Sequence, residues 1–375
     1  NSIEYAYMSS QRRYDIDALR SIAMFLLIFY HLGISFTSLA PYIWFVQNKK
    51  ITDSLWVLLN LLNSWRIPLI FLIAGIALRL SFQKRTQSEI LRERSKILGI
   101  PWIFGTAVFG TAHLVIVTTY YEGWSIELLW SIIYAFQSWG VHLWFLINIL
   151  IYSWVLIPVL NRISYKNRKE NIFSKILKKP GGIFIFSIPI IFEGQILNDY
   201  RFIPSSNYGD VYSQYAGSGH GFFLGFLWFF LGIILVSQGD IFWESNKKNW
   251  KIHLALGLGL YFYRFINDFE GGSALDNRLI AFESFNFIFL MLGLGATYLN
   301  KDSPQLTYYK TAVYPVYIVH LPVQMALMSY FAGVNLHPII KLPLVLFLII
   351  FVSLTIYHAI KNIKFLRPLF GLRNK

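Results

Sequence analysis

The feature that most constrains this chain is the length of its apolar blocks. Stretch after stretch runs to about 20 residues with few charges, the length a helix needs to cross the hydrocarbon core of a bilayer. A segment in lipid must satisfy its own backbone polar groups, and a helix does so internally. A soluble helix would break each block with a polar face. Charged residues make up 14% of the chain, against the about 25% usual for soluble domains. Ten spans are predicted, over 21–39, 62–82, 97–119, 141–160, 182–197, 221–237, 252–266, 279–299, 312–331 and 342–360. The apolar stretch 55–65 reads either as the start of the second span or as an interfacial or re-entrant helix. The polar stretch 162–180 is too short to bury a core, and no internal repeat or low-complexity tract is visible. The expectation is an all-α polytopic integral membrane protein, one membrane-embedded domain over 1–375 with no separate soluble domain. The polar residues 1–13 are not expected to form a cleavable signal, because no small-residue cleavage site follows the first apolar block.

The basic residues alternate with the spans. The chain holds 33 Lys+Arg against 19 Asp+Glu, a net charge of +14. Most of the cations fall in the N-terminal segment, every second loop and the C-terminal segment. The intervening loops hold only Lys49, Lys50, Arg201, Arg264, Arg278 and Lys341. Cytoplasmic loops collect Lys and Arg, so both termini are predicted in the cytoplasm. The charge is then topological, and nucleic-acid binding is not expected. Cysteine is absent, which excludes disulfides, thiolate metal sites and a cysteine nucleophile.

Ionisable groups inside spans are costly and usually functional. Around the first span lie Asp15, Asp17, Arg20, Tyr30 and His31. Arg20 and His31 are eleven residues apart. On a helix they share a face and are separated by about 16 Å along the axis. Asp17, three residues before Arg20, shares that face. Arg20 falls at the cytoplasmic mouth and His31 past mid-membrane. A neutral imidazole there can act as base or nucleophile near neutral pH. The structural alternative is an arginine at the headgroups and a histidine bonded to a neighbouring helix. Arg66 lies near the outer end of the second span, His142 opens the fourth, Glu283 lies in the outer part of the eighth, and Tyr317 and His320 share a face of the ninth. Arg66, His142, Tyr317 and His320 each also have a reading as an interfacial anchor or an interhelical hydrogen bond. His113 and His358 read as structural. The run Arg92-Glu93-Arg94-Ser95-Lys96 before the third span can grip phosphates or simply mark the cytoplasmic side.

Taken in chain order, these pieces resemble acyltransferase family 3 of bacterial integral membrane proteins, and most resemble its branch related to glucan biosynthesis protein C. The similarity rests on Asp17-Ala-Leu-Arg20 with ten residues between Arg20 and His31, and on Arg66-Ile-Pro-Leu-Ile-Phe-Leu-Ile-Ala-Gly75. It continues through Arg92-Glu-Arg94-Ser-Lys96-Ile-Leu-Gly-Ile-Pro101, His142-Leu-Trp-Phe-Leu146 and Tyr314-Pro-Val-Tyr317-Ile-Val-His320. Five motifs in this order cover nearly the whole chain. Two departures stand out. The family often carries two arginines three residues apart before the third span. Here Ile97 stands three residues after Arg94, and the nearby Lys96 lacks arginine's bidentate fork. Ala74 stands where many members have serine. No appended esterase-like domain is expected.

The resemblance implies O-acyl transfer from cytosolic acyl-CoA, with acetyl or succinyl as the acyl group, to a hydroxyl of an extracytoplasmic glycan, in the bacterial cytoplasmic (inner) membrane. It implies His31 as the catalytic histidine and Arg20, Arg92, Arg94 and Lys96 as the hold on the CoA phosphates, with no metal. The about 16 Å between Arg20 and His31 then fits the long, thin pantetheine arm. Asp17 would orient Arg20, with Tyr30 beside His31. Arg66, His142, Glu283, Tyr317 and His320 are the substrate-binding candidates. Whether His31 acts as general base or is transiently acylated stays open. The expected partners are a periplasmic or cell-surface glycan and membrane lipids. The acceptor's identity and the oligomeric state are not legible. The outer-loop residues Trp124, Trp139, Asn198, Tyr200, Asn207, Tyr208, Tyr212, Gln214 and Tyr215 read either as glycan contacts or as an interfacial aromatic belt. The rival function is a transporter or lipid/glycan flippase, since intramembrane His, Arg and Glu also build substrate paths; the missing internal repeat weighs against it. A lipid-linked glycosyltransferase would need an outer acidic pair for a metal, and the only tight pair, Asp15 and Asp17, is cytoplasmic.

Overall fold

The computed structural model describes residues 12–82, 85–160, 171–199, 212–269 and 276–373. Of the loop cations and outer-loop residues on which those expectations rest, Lys84, Arg162, Lys166, Arg168, Lys169, Tyr200, Arg201, Asn207, Tyr208 and Lys375 lie outside the described residues. Every regular element among those described is helical. The principal helices are α1 (Tyr14–Ile34), α2 (Trp56–Ser81), α3 (Gln87–Glu122), α4 (Ser131–Gln137), α5 (Trp144–Leu160), α6 (Ile172–Lys178), α7 (Ile188–Asp199), α8 (Gly219–Val236), α9 (Asp240–Phe269), α10 (Asn277–Leu294), α11 (Pro304–Phe331) and α12 (Pro338–Asn362).

Eight helical stretches among the described residues are long and apolar enough to cross a membrane, which makes the chain an all-helical multi-pass membrane protein. The predicted fifth segment falls on a shorter apolar helix, Gly182–Leu197, and the seventh on the polar-ended α9. The stretch 55–65 is not a separate helix, because α2 runs unbroken from Trp56 to Ser81. Arg264 and Lys341, counted above as outer-loop charges, both lie within helices and are 3% and 1% exposed. Each has polar partners that make its burial tolerable.

Contacts divide the chain into two compact units. The first comprises Asn1–Ala23, Asn63–Gln87 and Val155–Thr307. In it α9 packs along α10, and α10 along α7, around Trp228, Phe242, Phe285 and Phe289. Helices α2 and α8 cross through glycines on both sides. A Cβ on Gly75 would run into the carbonyl oxygen of Phe229, and one on Gly232 into that of Leu72. Small residues at a crossing let two backbones touch where lipid offers no hydrophobic drive. The second unit comprises Met24–Leu62, Ser88–Trp154 and Tyr308–Lys375 and holds the second half of α1 with α3, α4, α11 and α12.

Three prolines within these units show how sequence sets interhelical bonds. A proline has no N–H to return to the carbonyl four residues back, and in a membrane that carbonyl needs another donor. Pro68 leaves the Ser64 carbonyl, which accepts from Tyr215 Oη at 2.7 Å. Pro101 leaves the Ile97 carbonyl, which accepts from Tyr314 Oη at 2.8 Å. Pro322 leaves the Ile318 carbonyl, which accepts from His142 Nε2 at 3.0 Å. The third of these fixes a histidine.

Candidate active site

His31 Nδ1 lies 3.2 Å from Nε2 of His320, with the two rings nearly parallel. His320 Nδ1 in turn lies 2.7 Å from the carbonyl oxygen of Tyr317, one turn back on α11. A carbonyl only accepts, so His320 carries its proton on Nδ1. Its Nε2 is then the acceptor in the neutral ring, and His31 donates from Nδ1. Neutral His31 therefore holds its lone pair on Nε2. The chain from Tyr317 through His320 to His31 sets both the tautomer and the ring direction of His31, as a third group does for the base of a hydrolytic triad.

Two further histidines of this unit, His142 and His113, are buried near that chain. His142 donates through Nε2 to Ile318, so its lone pair is on Nδ1, a buried atom with no hydrogen-bond partner among the described residues. Its ring stands edge-on to His320 at 5.4 Å, and its own carbonyl accepts the Tyr317 hydroxyl. His142 and Tyr317 thus clasp each other in both directions. Phe45 stands edge-on to His31 at 5.5 Å and to His113 at 6.0 Å.

Phe45 arrives on a loop pinned by polar bonds. Asn48 donates its amide to Ser35 O at 2.7 Å, and Thr52 donates to Phe36 O at 2.7 Å. Tyr121 donates to Phe45 O, and Lys341 Nζ donates to Asn48 Oδ1 at 2.7 Å and to Phe331 O at 2.9 Å. Strain gathers at the same place. Trp44, just before Phe45, and Val141, just before His142, have φ of 60° and 58°, and Trp139 has 56°. A β-branched residue in the left-handed region is a genuine outlier. Such strain, about 1–3 kcal/mol per residue, persists where the surroundings over-determine the backbone and clusters at functional sites.

The remaining predicted residues fall as follows. Tyr30 is buried, its ring 6.1 Å from that of His31. Asp17 accepts from Arg12 at 2.8 Å and lies 3.7 Å from Arg20. It sits fourteen residues before His31 on the same helix, about 21 Å along the axis, so it is a partner of Arg20 and does not touch the imidazole. Arg92 and Lys96 are exposed, one turn apart, whereas Arg94 turns inward to Ser153 Oγ at 3.5 Å. A π-helical turn, Ser95–Gly99, follows, and another, Thr106–Gly110, packs against the segment Val141–Leu143. Such turns are frequent at functional sites.

In the first unit Arg66 is 1% exposed on α2. Glu283 is held by Arg264 through two bonds, Nε to Oε2 at 2.8 Å and Nη2 to Oε1 at 2.6 Å, and Ser64 donates to Oε1 at 3.1 Å. One pair in this unit was not anticipated. His220 bonds Glu193 through Nδ1 and the Tyr212 carbonyl through Nε2 at 2.8 Å. Since Nε2 must donate to that carbonyl, the contact with Glu193 holds one further proton, on the ring or on the carboxyl. The signal for Glu193 was present in the chain, an acid within the span predicted over 182–197. Among the described residues no group of three or more His, Asp or Glu side chains is placed to hold a metal ion.

Fold and site together define a multi-pass membrane protein with a partly buried imidazole chain suited to acid–base or nucleophilic chemistry. A family model for an acyltransferase domain matches residues 13–358, and the chain belongs to acyltransferase family 3. No curated protein and no solved structure gives a significant match.

Proposed function

We propose that this acyltransferase is an O-acyltransferase that takes an acetyl or succinyl group from cytosolic acyl-CoA and delivers it to a hydroxyl of an extracytoplasmic glycan, across a bacterial inner membrane with both chain ends in the cytoplasm. Succinyl follows from the likeness to the glucan biosynthesis protein C branch. The observation that carries the reading is the relay from the Tyr317 carbonyl through His320 to His31, which leaves a directed lone pair on His31 Nε2. As a base, that nitrogen removes the proton of the acceptor hydroxyl. The oxygen attacks the thioester carbonyl, the carbon–sulfur bond breaks, and the proton returns to the leaving CoA thiolate. A transiently acylated His31 uses the same lone pair. In either case the positive charge on His31 is shared with His320 through their hydrogen bond. Arg92, Arg94 and Lys96 in the second unit, and Arg20 in the first, are the residues proposed to hold the donor phosphates. The test is purified protein in proteoliposomes with labelled acetyl-CoA and succinyl-CoA, with and without a mixed pool of bacterial glycans. Acceptor-dependent thioester turnover with one donor supports the reading. Binding of neither donor sinks it.

His320 is assigned as a positioning residue. His320→Leu is expected to lower kcat on the order of 10²-fold, the penalty of a misdirected catalytic group, with little change in KM. His320→Gln keeps an acceptor facing His31 Nδ1 and is expected to recover part of the loss. Equal loss in both variants, carried by KM, would assign His320 to substrate binding instead.

A further inference from the structure

The segment that follows α12 lies beyond the family match, which stops at residue 358, yet it is folded tightly onto the basic run before the third span. The short helix Arg367–Phe370 packs on Ser95–Gly99 and on Ile100–Gly105. Phe370 is buried, with Phe104 at 5.5 Å and Phe109 at 5.6 Å. Gly371 follows with φ of 67°, and a Cβ there would run into the ring of Tyr314, the residue that bonds the Ile97 carbonyl. Glycine is the residue that adopts this conformation without strain and leaves that ring room.

The anchoring joins a second basic segment to the run. Arg367 opens the short helix and Arg373 ends the described segment, and both belong to the stretch that folds onto the run carrying Arg92, Arg94 and Lys96. Arg373 bonds Glu93, the acidic member of that run. Arg367 Nε is buried without a hydrogen-bond partner among the described residues. The helix that leads into the run carries two carboxylates, Glu89 and Glu93, and Arg373 engages the second. A buried guanidinium N–H with no acceptor carries a desolvation penalty. That penalty vanishes when an anion of several oxygens accepts from Arg367, and arginine's fork matches phosphate.

We infer that Ile363–Arg373 forms a phosphate clamp with the run 92–96, in which Arg367 donates to a phosphoester anion and Arg373 holds Glu93 out of its way. This rests on the proposed function for the source of that anion, the nucleotide end of the acyl donor. A phospholipid headgroup offers the same chemistry.

The test uses the full chain in nanodiscs of neutral phosphatidylcholine, titrated calorimetrically with CoA and with 3′,5′-ADP. Wild type is compared with Arg367→Gln, Arg367→Lys and Arg373→Gln, each shown to melt with wild type. Loss of one charge-assisted bond is expected to weaken CoA and 3′,5′-ADP about tenfold in Arg367→Gln, with Arg367→Lys intermediate. A second arm counts phosphatidylglycerol retained by each variant in native mass spectrometry. Unchanged CoA affinity with lost phosphatidylglycerol keeps the phosphate clamp and assigns its anion to lipid. Failure of wild type to bind CoA removes the acyl-CoA donor but leaves the clamp to be decided by the lipid arm. Variants that match wild type in both arms overturn the inference.

Discussion

His31→Ala is expected to reduce acyl transfer by on the order of 10²–10⁴-fold, the usual contribution of a positioned acid–base group, while the protein still folds. The two halves of that expectation have separate physical causes. Activity depends on a lone pair at one point, and alanine has none. Folding depends on α1 as a whole, an unbroken helix from Tyr14 to Ile34 whose buried face carries Leu19, Ala23, Leu27, Ile28 and Leu32. His31 itself is only partly buried, and its removal frees one acceptor, Nε2 of His320. The measurement is donor turnover by protein that elutes and melts as wild type does. Adding His320→Leu to His31→Ala is expected to cost nothing further, because residues that act as a unit are not additive. Transfer retained within about tenfold in folded His31→Ala would remove His31 from the chemistry.

Much of this was legible in the chain. Apolar blocks at membrane length dictate helices, and Arg20 and His31 at eleven residues' spacing on α1 follow from helix geometry alone. His142 at the mouth of a span, and Tyr317 and His320 within one, stood out as polar groups. The bond between His31 and His320 did not, because it joins residues 289 positions apart and no local periodicity encodes which helices become neighbours. The same holds for Arg264, whose position at the end of an apolar block reads equally as an outer anchor. Only its contact with Glu283 makes it a buried partner. The prolines carry the most transferable signal. Each of Pro68, Pro101 and Pro322 announces a carbonyl four residues upstream that needs a donor, although the sequence does not say that Tyr215, Tyr314 and His142 supply it.

The second large effect is expected in stability. Glu283→Ala leaves the Arg264 guanidinium, 3% exposed, without its bidentate carboxylate, and removes the acceptor of Ser64. Breaking a buried pair from one side costs about 3–5 kcal/mol, whereas replacing both partners by apolar groups of similar volume is often neutral. Glu283→Ala and Arg264→Ala are therefore each expected to lower the melting temperature of the detergent-solubilised protein by many degrees. The double variant Arg264→Met with Glu283→Leu is expected to recover most of that loss. A Glu283→Ala protein that melts with wild type would show that the pair contributes little. Glu283 also sits among the residues proposed for substrate, and the double variant separates the two roles. Recovered stability with undiminished transfer makes the pair a structural tie between α9 and α10. Recovered stability with transfer lost places the carboxylate, or its arginine, against the acceptor.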